Sequence, residues 1–414
     1  VPPSSRKWLV FGASAVAYFF VNFATFASLG VVLFTMAGEL NWSMTAAGFS
    51  FSLLGLACGL SSTLPTMAMK YVGGRGSMAI GAALFFFGCL LASVSRSLLV
   101  FDISIAMLGA GYTFAGNIPG VILIAQWFER GSARLVGIYL MFGALGAAAA
   151  PPTVEFVVRE LGWRGHWQVL AGVAAIVGVI CLACIRDREQ GKAAAPDPVA
   201  QVPASASAWT PRQAILTSQF MVLTASLVFT MTAVTTINSI VVTHLVKLGS
   251  TAVIAAWTLG VLSFTGTVMK GAAGHWCETR SPKMFVVSGL LFQAIGCALL
   301  IVATSGVIEF TAAVIFGVGW AFALVGGWVA LMRYFGGPTG ARILAIVQLA
   351  TTVGAAGPIA AGLIADRWGS FTPIFAFYAL VLFLLAAPVL LLRAPGAPPE
   401  AKVRDYPSPV AEPA

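Results

Sequence analysis

Charge is what this sequence has least of. Asp, Glu, Lys and Arg make up 9% of 414 residues, about a third of the share usual in a water-soluble chain, and that scarcity excludes a soluble globule. Acids are scarcer than bases, 14 against 23, and none falls deep inside an apolar run. The P-loop spacing that cradles phosphate is missing, no Cys/His spacing fits zinc, and no polar segment is long enough for an ATPase domain. These gaps argue against an enzyme, a cofactor, a metal centre or nucleotide-driven work. A removable signal peptide is not expected, because the first apolar run has no small-residue cleavage site after a short core.

Cysteine is present six times, but Cys58, Cys89, Cys181, Cys184, Cys277 and Cys297 all lie in or at the ends of apolar runs, where thiols behave as small hydrophobes. Cys181 and Cys184 form CxxC. On a helix that spacing turns both thiols to one face, and without further ligands it reads as packing.

What the chain has in abundance is long uncharged runs. They cover 8–38, 40–69, 76–95, 103–128, 135–154 and 165–185, then 213–246, 248–269, 284–308, 310–332, 343–365 and 368–392, each long enough to cross hydrocarbon as a helix. The fold class is therefore all-α integral membrane, with twelve spans in two sets of six. Lys and Arg at alternate ends of the runs divide seventeen against five, with Lys70, Arg75, Arg186, Arg280 and Arg333 on the rich side. Basic loops stay cytoplasmic, so both termini are expected in the cytoplasm. The net charge of +9 then reflects topology and does not argue for a nucleic-acid partner. The expected setting is a plasma membrane, on the bacterial pattern the inner membrane, with the lipid bilayer as partner and a monomer as the working unit.

Residues 186–212, rich in Ala, Pro, Ser and charge, read as a cytoplasmic linker between bundles at 1–185 and 213–393, and 394–414 as a disordered tail. The two sets repeat. LGAGYTFAG at 108–116 answers FGVGWAFAL at 316–324 at an offset of 208, pairing Gly109, Gly111, Tyr112 and Phe114 with Gly317, Gly319, Trp320 and Phe322. Gly88-Cys89 and Gly296-Cys297 keep the offset, and Arg134 answers Arg342 after one insertion. Two parallel six-helix halves with a site between them are a transporter architecture. Gly55-x3-Gly59 and Gly116-x3-Gly120 permit close helix approach, while Pro119, Pro151, Pro152 and Pro358 interrupt helical hydrogen bonding.

WFERGSARLVGIYLMFGALG after span 4, the segment 333–371 with its YFG, Gly-Pro and Asp-x-x-Gly-Ser elements, and THLVKLG at 243–249 resemble the major facilitator superfamily, and within it the oxalate/formate exchanger and monocarboxylate transporter branch. In that branch span 8 carries a basic residue that holds the substrate carboxylate, with glycine four and an acid eight positions later. Lys270, Gly274 and Glu278 fit. The departures are Lys in place of the usual Arg, Gly266 where proton-coupled members carry aspartate, neutral residues such as Tyr18 and Asn22 where they carry a span 1 lysine, and Gln348 in the region where oxalate exchangers carry a span 11 lysine. Lys70 stands near the place of the superfamily's loop acid. One buried cation suits one negative charge, which favours monocarboxylates.

The candidate substrate-binding residues are Lys270, Asn117, His244, Tyr112, Trp320 and Gln348. A lysine deep in a span costs about 2.5 to 3.5 kcal/mol on insertion scales, which marks Lys270 for function, unless its stem snorkels to the interface. Asn117 either lines the site or satisfies backbone freed by Pro119. His244 can sense protons or sit in the outer interface. Tyr112 and Trp320 either face a central cavity from both halves or pack beside their glycines. Gln348 needs a partner at membrane depth, in substrate or in another helix. Asp102 and Glu309 are expected to complement helix N-termini. The function expected is secondary transport of a small organic anion by alternating access, as symport with protons through Lys270 or His244, or as exchange or uniport. The alternative is an exporter of drugs or of neutral or cationic metabolites.

Overall fold

A computed structural model of the chain describes residues 3–128, 132–187, 209, 211–335 and 340–395. Most of the linker at 186–212 and of the tail at 394–414 lies outside the described residues, as do the side chains of Asn117, Glu278 and Arg342. Every regular element among the described residues is helical.

Span 1 runs Pro3–Asn22, a π turn Phe23–Ala27 and Ser28–Glu39, with a non-helical Thr25 inside the turn. Span 2 is Met44–Ser61 continued by 64–72; Gly73, at φ 69°, ends it inside the helix Leu64–Val94, whose remainder is span 3. Span 4 is Leu98–Ala115 and Asn117–Trp127, broken at Gly116. The next helix, Ser132–Cys184, has 53 residues and would extend about 80 Å if straight, far beyond a bilayer. It reverses at Gly162, φ 70°. Trp127, just before its start, donates its indole N–H to the carbonyl of Arg186, just after its end. Spans 5 and 6 are the two parts. Spans 7 to 10 are Ser218–Lys247, Ala252–Thr279, Pro282–Ile301 and Gly306–Phe335. Span 11 joins Gly340–Thr351, a 3-10 turn Thr352–Ala356 and Gly357–Trp368, and span 12 is Thr372–Leu391. Among the described residues eleven helical stretches are long and apolar enough to cross a membrane, and the reversal at Gly162 makes the spans twelve.

The repeat read in the sequence is a repeat of backbone contacts. A Cβ added to Gly109 would meet Leu54 O at 2.9 Å and Cys58 N at 3.2 Å; one added to Gly317 would meet Leu262 O at 2.8 Å and Gly266 N at 3.0 Å. Spans 2 and 4 therefore cross as spans 8 and 10 do, at positions 208 apart. Gly81 against Gly111 and Ala115, and Gly289 against Gly319 and Ala323, repeat this for spans 3 and 4 and spans 9 and 10. In lipid, close backbone approach at small residues is a main source of helix attraction. Two six-helix bundles related by this offset result.

Asp102 stands beyond the first turn of its helix, while Glu309 lies in the first turn of span 10, where its charge complements the N-terminus. Ser97 caps the helix of Asp102, and Asp102 instead accepts a hydrogen bond from Ser50 on span 2. Glu309 accepts from Ser250 and Thr258 at the start of span 8. Each acid thus ties span 4 to 2 or span 10 to 8, another shared feature of the halves.

Candidate functional site

Gly266 and Lys270 are one turn apart on span 8 and share a face. A Cβ on Gly266 would lie 2.5 Å from Cε3 of Trp320 on span 10, so the indole lies directly on the span 8 backbone. The Lys270 ammonium sits 3.4 Å from the centroid of the same ring. The stem is held in the helix interface and does not reach for the end of the span. At 1.5 Å per residue Lys270 is about 14 Å inside the Thr279 end. Around the helix it is roughly 140° from the exposed Phe264 and Val268 and lies between Gly266 and the face of Gly260. Gly260 approaches Ala148 O and Pro152 of the other bundle. Lys270 therefore faces the partner bundle and not lipid. No hydrogen bond or ion pair holds it among the described residues, and the buried indole N–H of Trp320 finds no acceptor among them.

Tyr112, the repeat mate of Trp320, makes a neutral cluster. Its hydroxyl donates to Asn22 Oδ1 at 3.3 Å, Asn22 donates to Tyr18 O at 2.8 Å, and Tyr18 stacks on Tyr139 at 4.5 Å. Tyr139 donates to Gly116 O where span 4 breaks. Phe26 meets Tyr112 edge-on and borders Gly55, which faces Ala355 of span 11. The cluster thus lies beside the junction of the bundles.

The bundles meet at the end opposite the basic one. There Asp366 of span 11 accepts from the backbone N–H of Met44 and of Thr45, both at 2.8 Å, and from the Thr45 hydroxyl at 2.5 Å. With Ser43 accepting from Ala46 N, the first-turn donors of span 2 are satisfied, and the carboxylate meets the positive end of that helix. Gly48 packs on Pro358 O and Gly362 on Met44 O closely enough that neither admits a Cβ. Toward the basic end the same two spans separate: a Cβ at Gly55 would find Ala355 at 3.7 Å, and one at Gly59 would find Thr352 at 3.8 Å. Lys270 lies about 15 Å from the Gly260–Ala148 closure, on the side where the bundles part.

The remaining candidates do not join these clusters. His244 is 2% exposed, bonded through Nε2 to Leu300 O at 3.0 Å and packed on Phe375, which places it inside the second bundle between spans 7, 9 and 12. Gln348 is exposed beside Trp328 and Leu344. Asn117 opens the second part of span 4, and its side chain is outside the described residues. Sequence reading passed over the seat at Gly266 and the bonds of Asp366. Gly266 answers Cys58 at the repeat offset, and that comparison was the available signal. It also passed over His166, buried in span 6 against Ser28 at 2.8 Å, where span 1 resumes after its π turn.

A family model described as Major Facilitator Superfamily matches residues 15–356 and 229–413. Among curated proteins, the Drug efflux pump JefA of Mycobacterium tuberculosis is 29% identical over 33% of this chain and 27% of its own length. The Probable L-galactonate transporter of Escherichia coli is 27% identical over 41% and 37%. Monocarboxylate transporter 12 of Rattus norvegicus is 23% identical over 38% and 30%. The matched segment is thus under two fifths of each relative's own length. Among solved structures, the nucleoside transporter NupG superposes with a TM-score of 0.78 at 13% identity, covering 94% of this chain and 100% of that one, a likeness of fold.

Proposed function

Because the chain belongs to the Major Facilitator Superfamily, and is thus a multi-pass membrane transporter rather than an enzyme, we propose that its cargo is a small organic monocarboxylate held by Lys270. The observation that carries this reading is an ammonium at membrane depth, facing the opposite bundle on the open side of the closure, held on an aromatic face with no carboxylate beside it among the described residues. A buried charge of this kind invites a counter-ion. The names of the L-galactonate and monocarboxylate relatives lend the same support, since both cargoes carry a carboxylate.

The bundles at 1–185 and 213–393 act as the two rocking bodies, joined by 186–212, in a bacterial inner membrane with both termini and the basic end in the cytoplasm. In this frame the structure is closed outside and open inside. Tyr112 faces the cavity from the first bundle and Trp320 from the second, with Asn117 and Gln348 as further lining. Anion binding cancels the Lys270 charge and lowers the cost of closing the cavity around it, which couples occupancy to rocking. Outward opening requires Asp366 to release the first turn of span 2. Exchange or uniport fits the glycine at 266, and His244 buried within its bundle leaves Lys270 as the group for any proton coupling.

A second reading, export of lipophilic cations or neutral compounds, is favoured by the likeness to JefA, with Lys270 then structural. Uptake of labelled lactate into proteoliposomes separates the two. Competition by other monocarboxylates but not by cationic dyes is expected; competition by dyes alone would replace the first reading with the second.

A further inference from the structure

We infer that Gly266 and Trp320 form a seat that positions the Lys270 ammonium for its anion, the indole face holding the cation while the site is empty. The inference rests on the reading of Lys270 as the carboxylate-binding group and adds two residues to it, neither of which need touch the cargo.

The crossing of spans 8 and 10 does not itself demand glycine at 266. The equivalent crossing of spans 2 and 4 is equally tight at Gly109 and carries Cys58 at the equivalent place. What demands it is the ring. A Cβ at 266 would come within 2.5 Å of Cε3 and 2.9 Å of Cζ3 of Trp320, a separation that non-bonded carbons do not tolerate, and pushing the ring away would also carry off the surface on which the ammonium rests. In the first bundle the corresponding tyrosine turns its hydroxyl to Asn22 and needs no such surface, because Ser62 stands where Lys270 stands in the second.

An unheld lysine stem samples many rotamers and tends to carry its amine toward the nearest water, here the basic end. Tryptophan is the best aromatic partner for an ammonium, and its attraction is strongest where water is excluded. The seat therefore fixes the cation at depth before the anion arrives, and the anion is spared the cost of ordering the stem. A resident carboxylate would hold the lysine as well, but it would compete with the cargo for the same charge. An aromatic face leaves the other side of the ammonium free.

The test compares KM and Vmax for labelled lactate in proteoliposomes of the wild type, Gly266→Ala, Trp320→Leu, Trp320→Phe and Lys270→Gln, with melting curves of the purified proteins as a check on folding. Gly266→Ala and Trp320→Leu are expected to raise KM roughly five- to thirtyfold with little change in Vmax. Trp320→Phe, which keeps a face and loses the N–H, is expected to stay within about threefold of wild type. Wild-type KM in a well-folded Trp320→Leu or Gly266→Ala, beside lost uptake in Lys270→Gln, would overturn the seat and leave the Lys270 reading standing. Trp320→Phe as impaired as Trp320→Leu would overturn it too, by assigning the effect to the indole N–H. Unchanged uptake in Lys270→Gln would remove both the seat and the reading beneath it.

Discussion

At Gly109 the backbones of spans 2 and 4 touch, and 208 residues later those of spans 8 and 10 touch at Gly317 in the same way. The side chains that decorate the two crossings differ in kind. In the first bundle Tyr112 closes a neutral hydrogen-bonded cluster through Asn22 to Tyr18. In the second, Trp320 lies on a bare glycine and carries a lysine on its face. Close helix packing in lipid depends on small residues whose exchange would separate the backbones, so those positions stay alike in the two halves. Side chains beside the crossing bear no such load, and one half could acquire a charge that the other lacks. The closure between the bundles is one-sided as well: Asp366 reaches the first turn of span 2 from the second bundle, while the position equivalent to it in the first is Val158.

The comparison breaks most decisively at the charge. Lys270→Gln is expected to lower uptake of labelled lactate at limiting concentration by at least about thirtyfold, the scale of removing one partner of a desolvated charge pair. Adding Ser62→Lys, which moves the cation to the equivalent place in the first bundle, is expected not to restore it, because no indole lies there. Restoration would mean that the two crossings are interchangeable.

Next come the crossing glycines. Gly109→Ala and Gly317→Ala each force a methyl into backbone, and each is expected to cost about 1 to 3 kcal/mol of stability, read as a lower melting temperature in detergent. Only Gly317→Ala should also raise the KM for lactate, since Gly266 N lies 3.0 Å from its added Cβ. Asp366→Asn weakens charge-assisted bonds to a helix N-terminus, worth about 1 kcal/mol. Distances between spin labels at the ends of spans 2 and 11 that Asp366 joins are expected to gain a longer population in that variant and not in Val158→Asn. The smallest effect belongs to Tyr112→Phe, which removes one neutral hydrogen bond. It is expected to cost about 0.5 to 1.5 kcal/mol of stability and to move KM by less than about threefold.

Much of this was legible in the sequence. Uncharged runs gave the spans, and GxG with a following aromatic located both crossings, because a bilayer dictates helix length and close packing dictates glycine. Lys270 stood out for the same reason, as a charge where charge is costly. The turns at Gly73 and Gly162 fall in the charged breaks at 70–75 and 155–164 that part the uncharged runs, but that each is made by a single glycine at positive φ is less visible. The bonds of Asp366 to Met44 and Thr45 join residues more than 300 apart, beyond any local pattern. His244 read either as a proton sensor or as a residue of the outer interface; its bond to Leu300 O and its contact with Phe375 come from helices far along the chain and could not be read locally. Gly266 could have been read against Cys58, but only the position of the ring explains what the missing side chain makes room for.

The central claim is that the Lys270 ammonium binds the carboxylate of the cargo. Equilibrium titration of the purified protein with lactate, for wild type, Lys270→Arg and Lys270→Gln, tests it most directly. The account predicts saturable binding in wild type, retained binding in the arginine variant and none measurable in the glutamine variant; equal affinity in wild type and Lys270→Gln would contradict it.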